Sequence, residues 1–136
     1  MRVPVEIVTG AMNESFKCMA LYEDNDEHAI VKWKQPVDES NEESLFELEI
    51  NKATGKATLL RKGSISSKLE FDPSKETIGT IDAACGTIVV NIVTDHINLP
   101  SVMCSRLEIA YSMRSSGTDV IKNTFLIKFL LQKKMF

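Results

Sequence analysis

Arg61 is the residue of this chain whose type and position best suit the binding of a ligand. It shares strand parity with Ala57 and Leu59, so its guanidinium would point into the interior if those two side chains face inward. A buried guanidinium needs an anionic partner, because an unpaired charge away from water is very unfavourable. That partner would be a bound carboxylate or phosphate, gripped by the fork of N–H donors. The structural alternative is an internal salt bridge, or capping of backbone carbonyls, that closes one end of the fold.

Cys85 invites comparison with thiol nucleophiles, because Gly86 follows it and Asp95 and His96 lie downstream. A nucleophilic thiol needs a nearby base or an electropositive setting. His28 and His96 are the only histidines, and their spacing places neither of them beside Cys85. No second His or Cys lies at a ligand spacing from His96, which argues against a metal site. The sequence therefore favours a small hydrophobic cysteine in a turn and predicts neither a cofactor nor a metal; an enzyme that uses Cys85 is the least favoured hypothesis.

Alternating side chains predict the elements that would position these residues. The clearest case is Val102 to Met113, because side chains in a strand point to opposite faces with a period of two. The polar face of this segment is either a solvated outer face or a polar lumen. One parity holds Met103, Leu107, Ile109, Tyr111 and Met113, and the other holds Cys104, Arg106, Glu108 and Ser112.

The same pattern recurs along almost the whole chain and predicts about eight to ten strands. One segment is ambiguous. Ser40 followed by Glu43 would fit a helix capping box, but the alternation from Phe46 to Ile50 favours a strand. Thr87 to Thr94 carries apolar side chains on both faces, which indicates a strand covered on both sides. Segments of this kind must bring their apolar faces together in a sandwich or a barrel, so the predicted fold class is all-β.

Composition limits the classes of protein to which the chain belongs. Its 136 residues, of which 43% are hydrophobic and 26% charged, fit one globular domain that spans residues 1–136. Lys and Arg number 16 against 19 Asp and Glu. The basic excess that is typical of nucleic-acid-binding proteins is therefore missing.

Three features favour the cytoplasm as the location of the protein. The segment Met1 to Glu6 reads directly into a strand, without the apolar core of a signal peptide. The apolar run Phe125 to Leu131 is interrupted by Lys128 and is too short to cross a bilayer. We therefore expect a protein that binds neither membrane nor nucleic acid. The chain also holds three widely spaced cysteines, as expected of reduced thiols: Cys18, Cys85 and Cys104.

Four stretches in the later part of the chain carry a family resemblance. They are Leu59-Leu60-Arg61-Lys62-Gly63-Ser64-Ile65-Ser66, Leu69-Glu70-Phe71, Thr77-Ile78-Gly79-Thr80 and Gly86-Thr87-Ile88. In their order and spacing, the chain from about Phe46 onward resembles the YwiB-like family of small, uncharacterised bacterial proteins. The resemblance implies a calycin-like, lipocalin-like antiparallel barrel with no established activity.

The chain also departs from related patterns. It has Ala83-Ala84-Cys85-Gly86 where a Thr-Pro-aromatic-Gly turn is usual in the family it resembles. The Gly-x-Trp motif of classical lipocalins is absent, because Val31-Lys32 precedes Trp33. The Arg-x-Tyr pair that grips a carboxylate in fatty-acid-binding proteins is also missing. The resemblance therefore supports an architecture better than it supports lipid binding.

The resemblance implies a single antiparallel up-and-down barrel, and we expect this barrel to bind a small, partly apolar molecule in its interior. In this hypothesis Arg61 orients the acidic group of the ligand. Trp33 and the other aromatic side chains either line such a pocket or form plain core. The apolar walls would come from Phe46, Leu48, Leu69, Phe71, Ile109, Tyr111, Phe125 and Phe129.

The main alternative is an interaction or scaffold module with a solid core and no ligand. An edge strand, or the closing segment Gln132 to Phe136, would then pair with a partner or with a second copy in a homodimer. Whether the interior is hollow decides between the two hypotheses. One acidic run is a solvated loop, a partner contact or a lid over a barrel mouth: Asp38, Glu39, Glu42 and Glu43.

Overall fold

The computed structural model describes residues 1–9, 14–36, 43–100, 105–115 and 120–130. Ten strands occupy almost all of these ranges, and none of the described residues forms a helix long and apolar enough to cross a membrane. The strands are β1 (Arg2–Thr9), β2 (Glu14–Asp24), β3 (His28–Pro36), β4 (Glu43–Asn51), β5 (Lys56–Lys62), β6 (Ser66–Phe71), β7 (Thr77–Ala83), β8 (Gly86–Asn98), β9 (Arg106–Ser115) and β10 (Ile121–Phe129).

Each strand pairs antiparallel with the next one in the chain, and β10 pairs with β1 to close a barrel. This confirms the predicted all-β, up-and-down barrel of eight to ten strands. The strand interpretation of Phe46 to Ile50 is also confirmed, because both residues lie in β4. The capping-box alternative at Ser40, most of the acidic run, Cys104 and the segment Gln132 to Phe136 lie outside the described residues.

The alternation of side chains sorts the chain into an inner and an outer face. On β9, Leu107 and Ile109 are fully buried while Arg106 is exposed. Glu108 also points outward, where its Oε2 lies 2.7 Å from Nε2 of His96 on β8. The polar parity of this strand is therefore the solvated outer face, and not a polar lumen.

The prediction that β8 is covered on both sides is wrong. Val90 and Ile92 are buried inside the barrel, but Val89 and Val93 on the other parity are 52% and 47% exposed. The physical reason is that a sheet closed into a barrel buries only its inner face. No described element packs on the outside of β8.

Side chains from separate parts of the wall meet inside the barrel. The rings of Phe71 on β6 and Tyr111 on β9 have centroids 4.9 Å apart, and those of Trp33 on β3 and Phe125 on β10 are 6.0 Å apart. In both pairs two other strands separate the partners in the barrel wall. Aromatic rings thus occupy part of the interior of this ten-stranded barrel.

Gly79 of β7 shows how tightly this interior is packed. A Cβ at this position would lie 2.7 Å from Cδ2 of Leu69 and 3.0 Å from Cδ1 of Ile92. The wall around Gly79 thus has no room for one more methyl group. The interior is therefore closely packed in this region of the barrel.

The turn between β7 and β8 keeps its glycine despite the departure from the family pattern. Gly86 has a φ of 130°, a backbone conformation that L side chains rarely adopt. Ala84 and Cys85 precede it and are exposed. The turn therefore depends on Gly86, and Cys85 lies at its tip and not in a pocket.

Candidate binding groove

The ladder between β2 and β3 stops halfway along these strands. The two strands pair only from Leu21 to Asp24 and from Ala29 to Lys32. Beyond Lys32, β3 stays paired with β4 as far as Pro36, but it no longer pairs with β2. We call this interruption of the wall, between Ser15–Ala20 on β2 and Trp33–Pro36 on β3, the seam.

The short ladder between β6 and β7 differs from the seam, because a side chain bridges these two strands. β6 and β7 pair only over Ser66–Lys68 and Thr80–Asp82. There, however, the hydroxyl of Thr77 donates a hydrogen bond to the carbonyl oxygen of Glu70 and so bridges the two strands. No such bridge crosses the seam among the described residues.

A cavity of about 480 Å³ lies along the outer wall at the seam. We call it the lateral groove. Its floor is formed by inward-facing residues that the seam uncovers: Ala20, Trp33 and Phe46. Its sides are the outward-facing residues Arg2, Met19, Leu21, Lys32, Lys34, Leu45, Glu47, Leu60 and Lys62.

Strand register explains why these outward residues lie side by side. Directly opposed residues of neighbouring strands point to the same face and lie close together. One such row crosses five strands without a break, from β1 to β5. Its members, in order, are Arg2, Leu21, Lys32, Glu47 and Leu60.

The groove is apolar in its middle. Met19, Leu21 and Leu45 are 58%, 48% and 48% exposed, which is unusual for large apolar side chains gathered in one concavity. On the floor, the rings of Trp33 and Phe46 stack with centroids 5.2 Å apart and planes 4° apart. The indole Nε1–H of Trp33 donates to Oε1 of Gln35 at 3.3 Å, so the ring needs no polar partner from a ligand.

The rim of the groove is basic. Four cationic residues, Arg2, Lys32, Lys34 and Lys62, face a single acidic residue, Glu47, which lies 3.7 Å from Lys32. The lining therefore carries a formal charge of +3, although the whole chain carries −3. A concentration of positive charge on an acidic protein attracts anions to this place.

Residues 8–127 match the family profile described as "Domain of unknown function (DUF1934)". The chain belongs to the DUF1934 family. Among solved structures, the chain is similar to the crystal structure of ywiB protein from Bacillus subtilis, with a TM-score of 0.64, 12% sequence identity, and coverage of 94% of this chain and 89% of that chain. The resemblance to the YwiB-like family is thereby confirmed, and the low identity shows a shared fold alone. No curated protein matches the chain.

Arg61 of this DUF1934 protein lies where its parity predicts, beside the buried Ala57 and Leu59 on the inner face. Its Nε–H donates to Oγ of the fully buried Ser44 at 3.3 Å, and its Cζ lies 5.3 Å from the centre of the Phe46 ring. None of the ion pairs between described residues includes Arg61. A hydroxyl and an aromatic face, and not a described carboxylate, therefore hold the guanidinium.

Gly63 makes this arrangement of Arg61 compatible with close packing. A Cβ on Gly63 would lie 2.9 Å from Oγ of Ser44. Any larger residue at this position would push against the hydroxyl that accepts the hydrogen bond from Arg61. This gives a physical reason for the Arg61-x-Gly63 spacing in the family resemblance.

The predicted apolar walls all face inward, as expected from their parity, but they pack against each other. Leu48, Phe71 and Ile109 are at most 1% exposed, and burial raises the pKa of the half-buried Tyr111. Of the eight predicted wall residues, Phe46 alone lines the lateral groove. A ligand contact for the other seven stays a prediction: Leu48, Leu69, Phe71, Ile109, Tyr111, Phe125 and Phe129.

The structure places His96 too far from Cys85 to act as a base for this thiol. Cys85 precedes β8 and His96 lies near the far end of that strand, and eleven residues of extended chain span about 35 Å. His96 instead contacts Glu108 on the outer face. The other described thiol, Cys18, is partly buried, which raises its pKa and disfavours the thiolate. The described residues also contain no cluster of three His, Cys, Asp or Glu side chains that would hold a metal ion.

Most of the residues that form the lateral groove were not predicted from the sequence. A partial signal was present on β2, where Met19 and Leu21 are apolar although their parity partners Lys17 and Glu23 are charged. A strand that is apolar on its solvent parity indicates an exposed contact surface. The seam itself had no signal in the sequence, because the alternation of side chains continues along β2 and β3 past the end of their pairing.

Proposed function

We propose that this DUF1934 protein binds a small, partly apolar molecule in the lateral groove. The observation that carries the proposal is the combination of a solid core with an open, apolar concavity on the wall. The groove volume of about 480 Å³ falls in the usual range of ligand sites. A ligand that covers the exposed side chains of Met19, Leu21 and Leu45 would lower the free energy, because apolar surface would leave water.

The groove replaces the lumen as the proposed site. The lumen hypothesis required free space inside the barrel, whereas two pairs of aromatic rings, Phe71 with Tyr111 and Trp33 with Phe125, occupy interior space. The proposed function is still the binding of a partly apolar ligand.

We also propose that the protein is located in the cytoplasm, which the free thiols of Cys18 and Cys85 support.

Fluorescence of Trp33 gives a direct test, because Trp33 is the only tryptophan in the chain and lies on the groove floor. We expect 1-octanol and octanoate to change its emission in a saturable manner. Leu45→Gln places an amide in the middle of the groove and should weaken the binding of both probes about tenfold, since it removes roughly 1.5 kcal/mol of apolar contact.

Val89→Gln is the matched control for this variant. Val89 is 52% exposed, close to the 48% of Leu45, but it lies on β8 outside the groove. It should leave the titrations unchanged. Absence of any saturable change in the wild-type protein, or equal weakening in both variants, would contradict the proposal.

The alternative function is an interaction module that acts through a free strand edge. The seam is one of the places where the described wall has unpaired strand edges. A partner strand that pairs there, or a second copy in a homodimer, would meet the same exposed Met19 and Leu45 that line the groove. Concentration-dependent sedimentation separates the two functions, because a ligand-binding barrel need not self-associate.

A further inference from the structure

We propose that the ligand is a phosphate monoester, and that its phosphate binds in a separate anion subsite beside Arg61 while its apolar part lies in the lateral groove. We define the anion subsite as a cavity of about 490 Å³ at the β5–β6 turn, lined by Leu60, Arg61, Lys62, Ser66, Ser67, Lys68, Thr80 and Asp82. The position of the apolar part rests on the proposed function. The anion subsite stands on observations of its own.

Arg61 is pre-organised for an anion. Its Nε–H is engaged by Ser44, and the aromatic face of Phe46 supports the guanidinium. A guanidinium has five N–H donors, and no described residue accepts a hydrogen bond from the other four. Because two contacts already restrict the side chain, less rotamer freedom is lost when an anion binds to it.

The charges around the cavity favour an anion with more than one negative charge. Arg61, Lys62 and Lys68 oppose one carboxylate, Asp82. Oδ1 of Asp82 already accepts a hydrogen bond from the Thr87 hydroxyl at 2.5 Å. The formal charge of the lining is thus +2, which matches a phosphate monoester above its second pKa of about 6.

Hydroxyl groups complete the subsite. Ser66, Ser67 and Thr80 line the same cavity as the three cations. Hydroxyls and cationic donors together suit the three terminal oxygens of a phosphate better than the two of a carboxylate. Lys68 also lies 3.6 Å from Glu70, but both side chains are about half exposed, so this ion pair is weak and yields readily to a stronger anion.

The anion subsite and the lateral groove adjoin each other. Leu60 and Lys62 line both cavities. Phe46 belongs to the groove floor and at the same time lies under the guanidinium of Arg61. A ligand with a phosphate at one end and an apolar chain at the other would therefore contact both cavities at once.

The test compares octyl phosphate, octanoate and 1-octanol by Trp33 fluorescence, and inorganic phosphate by ³¹P NMR line broadening. We expect octyl phosphate to bind at least tenfold more tightly than 1-octanol, and octanoate to lie between them. Arg61→Gln should reduce the preference for octyl phosphate over 1-octanol to about twofold or less. The preference should also decline as the pH falls below about 6, where the phosphate loses a charge.

Two further variants keep the test decisive. Lys68→Gln changes a side chain that is 58% exposed, so it tests the subsite even if Arg61→Gln does not fold; it should lower the preference several-fold. Arg106→Gln removes an exposed arginine of β9 outside both cavities and should have no effect.

The outcomes separate this inference from the proposed function. Equal binding of octyl phosphate and 1-octanol would overturn the anion subsite and leave the groove intact. Binding of inorganic phosphate that Arg61→Gln abolishes, without any response to 1-octanol, would support the subsite and overturn the groove. A preference for phosphate that survives both Arg61→Gln and Lys68→Gln would place the anion elsewhere and contradict the inference.

Discussion

Replacement of Phe71 by alanine is expected to lower the free energy of unfolding by about 3–5 kcal/mol. Phe71 is 1% exposed, and its ring lies 4.9 Å from that of Tyr111 across the interior. Truncation would leave a large cavity between β6 and β9, because the surrounding strands are held by their ladders and cannot collapse into the space. Urea unfolding monitored by Trp33 fluorescence measures the change.

The control for this substitution is Val89→Ala on the outer face. Val89 is 52% exposed, so its truncation should change the unfolding free energy by about 0.5 kcal/mol or less. The comparison distinguishes a solid core from a hollow barrel. A loss of less than about 1 kcal/mol for Phe71→Ala would show that the ring lines an open lumen, and it would contradict the packing described above.

Addition of a single methyl group at Gly79 should also destabilise the protein, by about 1–3 kcal/mol. The new Cβ would approach Cδ2 of Leu69 to 2.7 Å and Cδ1 of Ile92 to 3.0 Å. Neither neighbour has free space to move into, since both are buried in the same cluster. Denaturant unfolding of Gly79→Ala measures this effect.

A double-mutant cycle shows whether the loss comes from the close contact itself. Leu69→Ala should cost less in the Gly79→Ala background than in the wild-type protein, because the truncated side chain makes room for the new methyl group. Additive losses would point to a backbone effect instead. An unchanged or increased stability of Gly79→Ala would mean that the interior has free space beside Gly79, which would favour a ligand in the lumen.

Most of the fold could be predicted from the alternation of inward and outward side chains along each strand. Leu107, Ile109 and Arg106 on β9 fall on the faces that their alternation predicts, because a strand has no other way to place successive side chains. The same rule placed Arg61 on the inner face with Ala57 and Leu59. It failed to describe the surroundings of β8, since parity alone does not show whether a second layer covers an apolar outer face.

The candidate site was harder to predict because it depends on distant parts of the chain. Arg61 and Phe46 were recognised from the sequence, and the structure brings them together through the β4–β5 register. Trp33 and Lys34 become neighbours of Met19 only where the β2–β3 ladder ends. Residues 19 and 33–34 are separated by a turn and parts of two strands, so no local spacing in the sequence encodes this contact.

We propose that a ligand binds on the outer wall and not inside the barrel. Intermolecular NOEs between octanoate and protein labelled at its Leu, Ile and Met methyl groups distinguish these two positions. We predict NOEs to the methyl groups of Met19, Leu21, Leu45 and Leu60, all of which line the lateral groove. NOEs to the buried methyl groups of Leu48, Leu107 and Ile109 instead would place the ligand in the lumen and contradict the account.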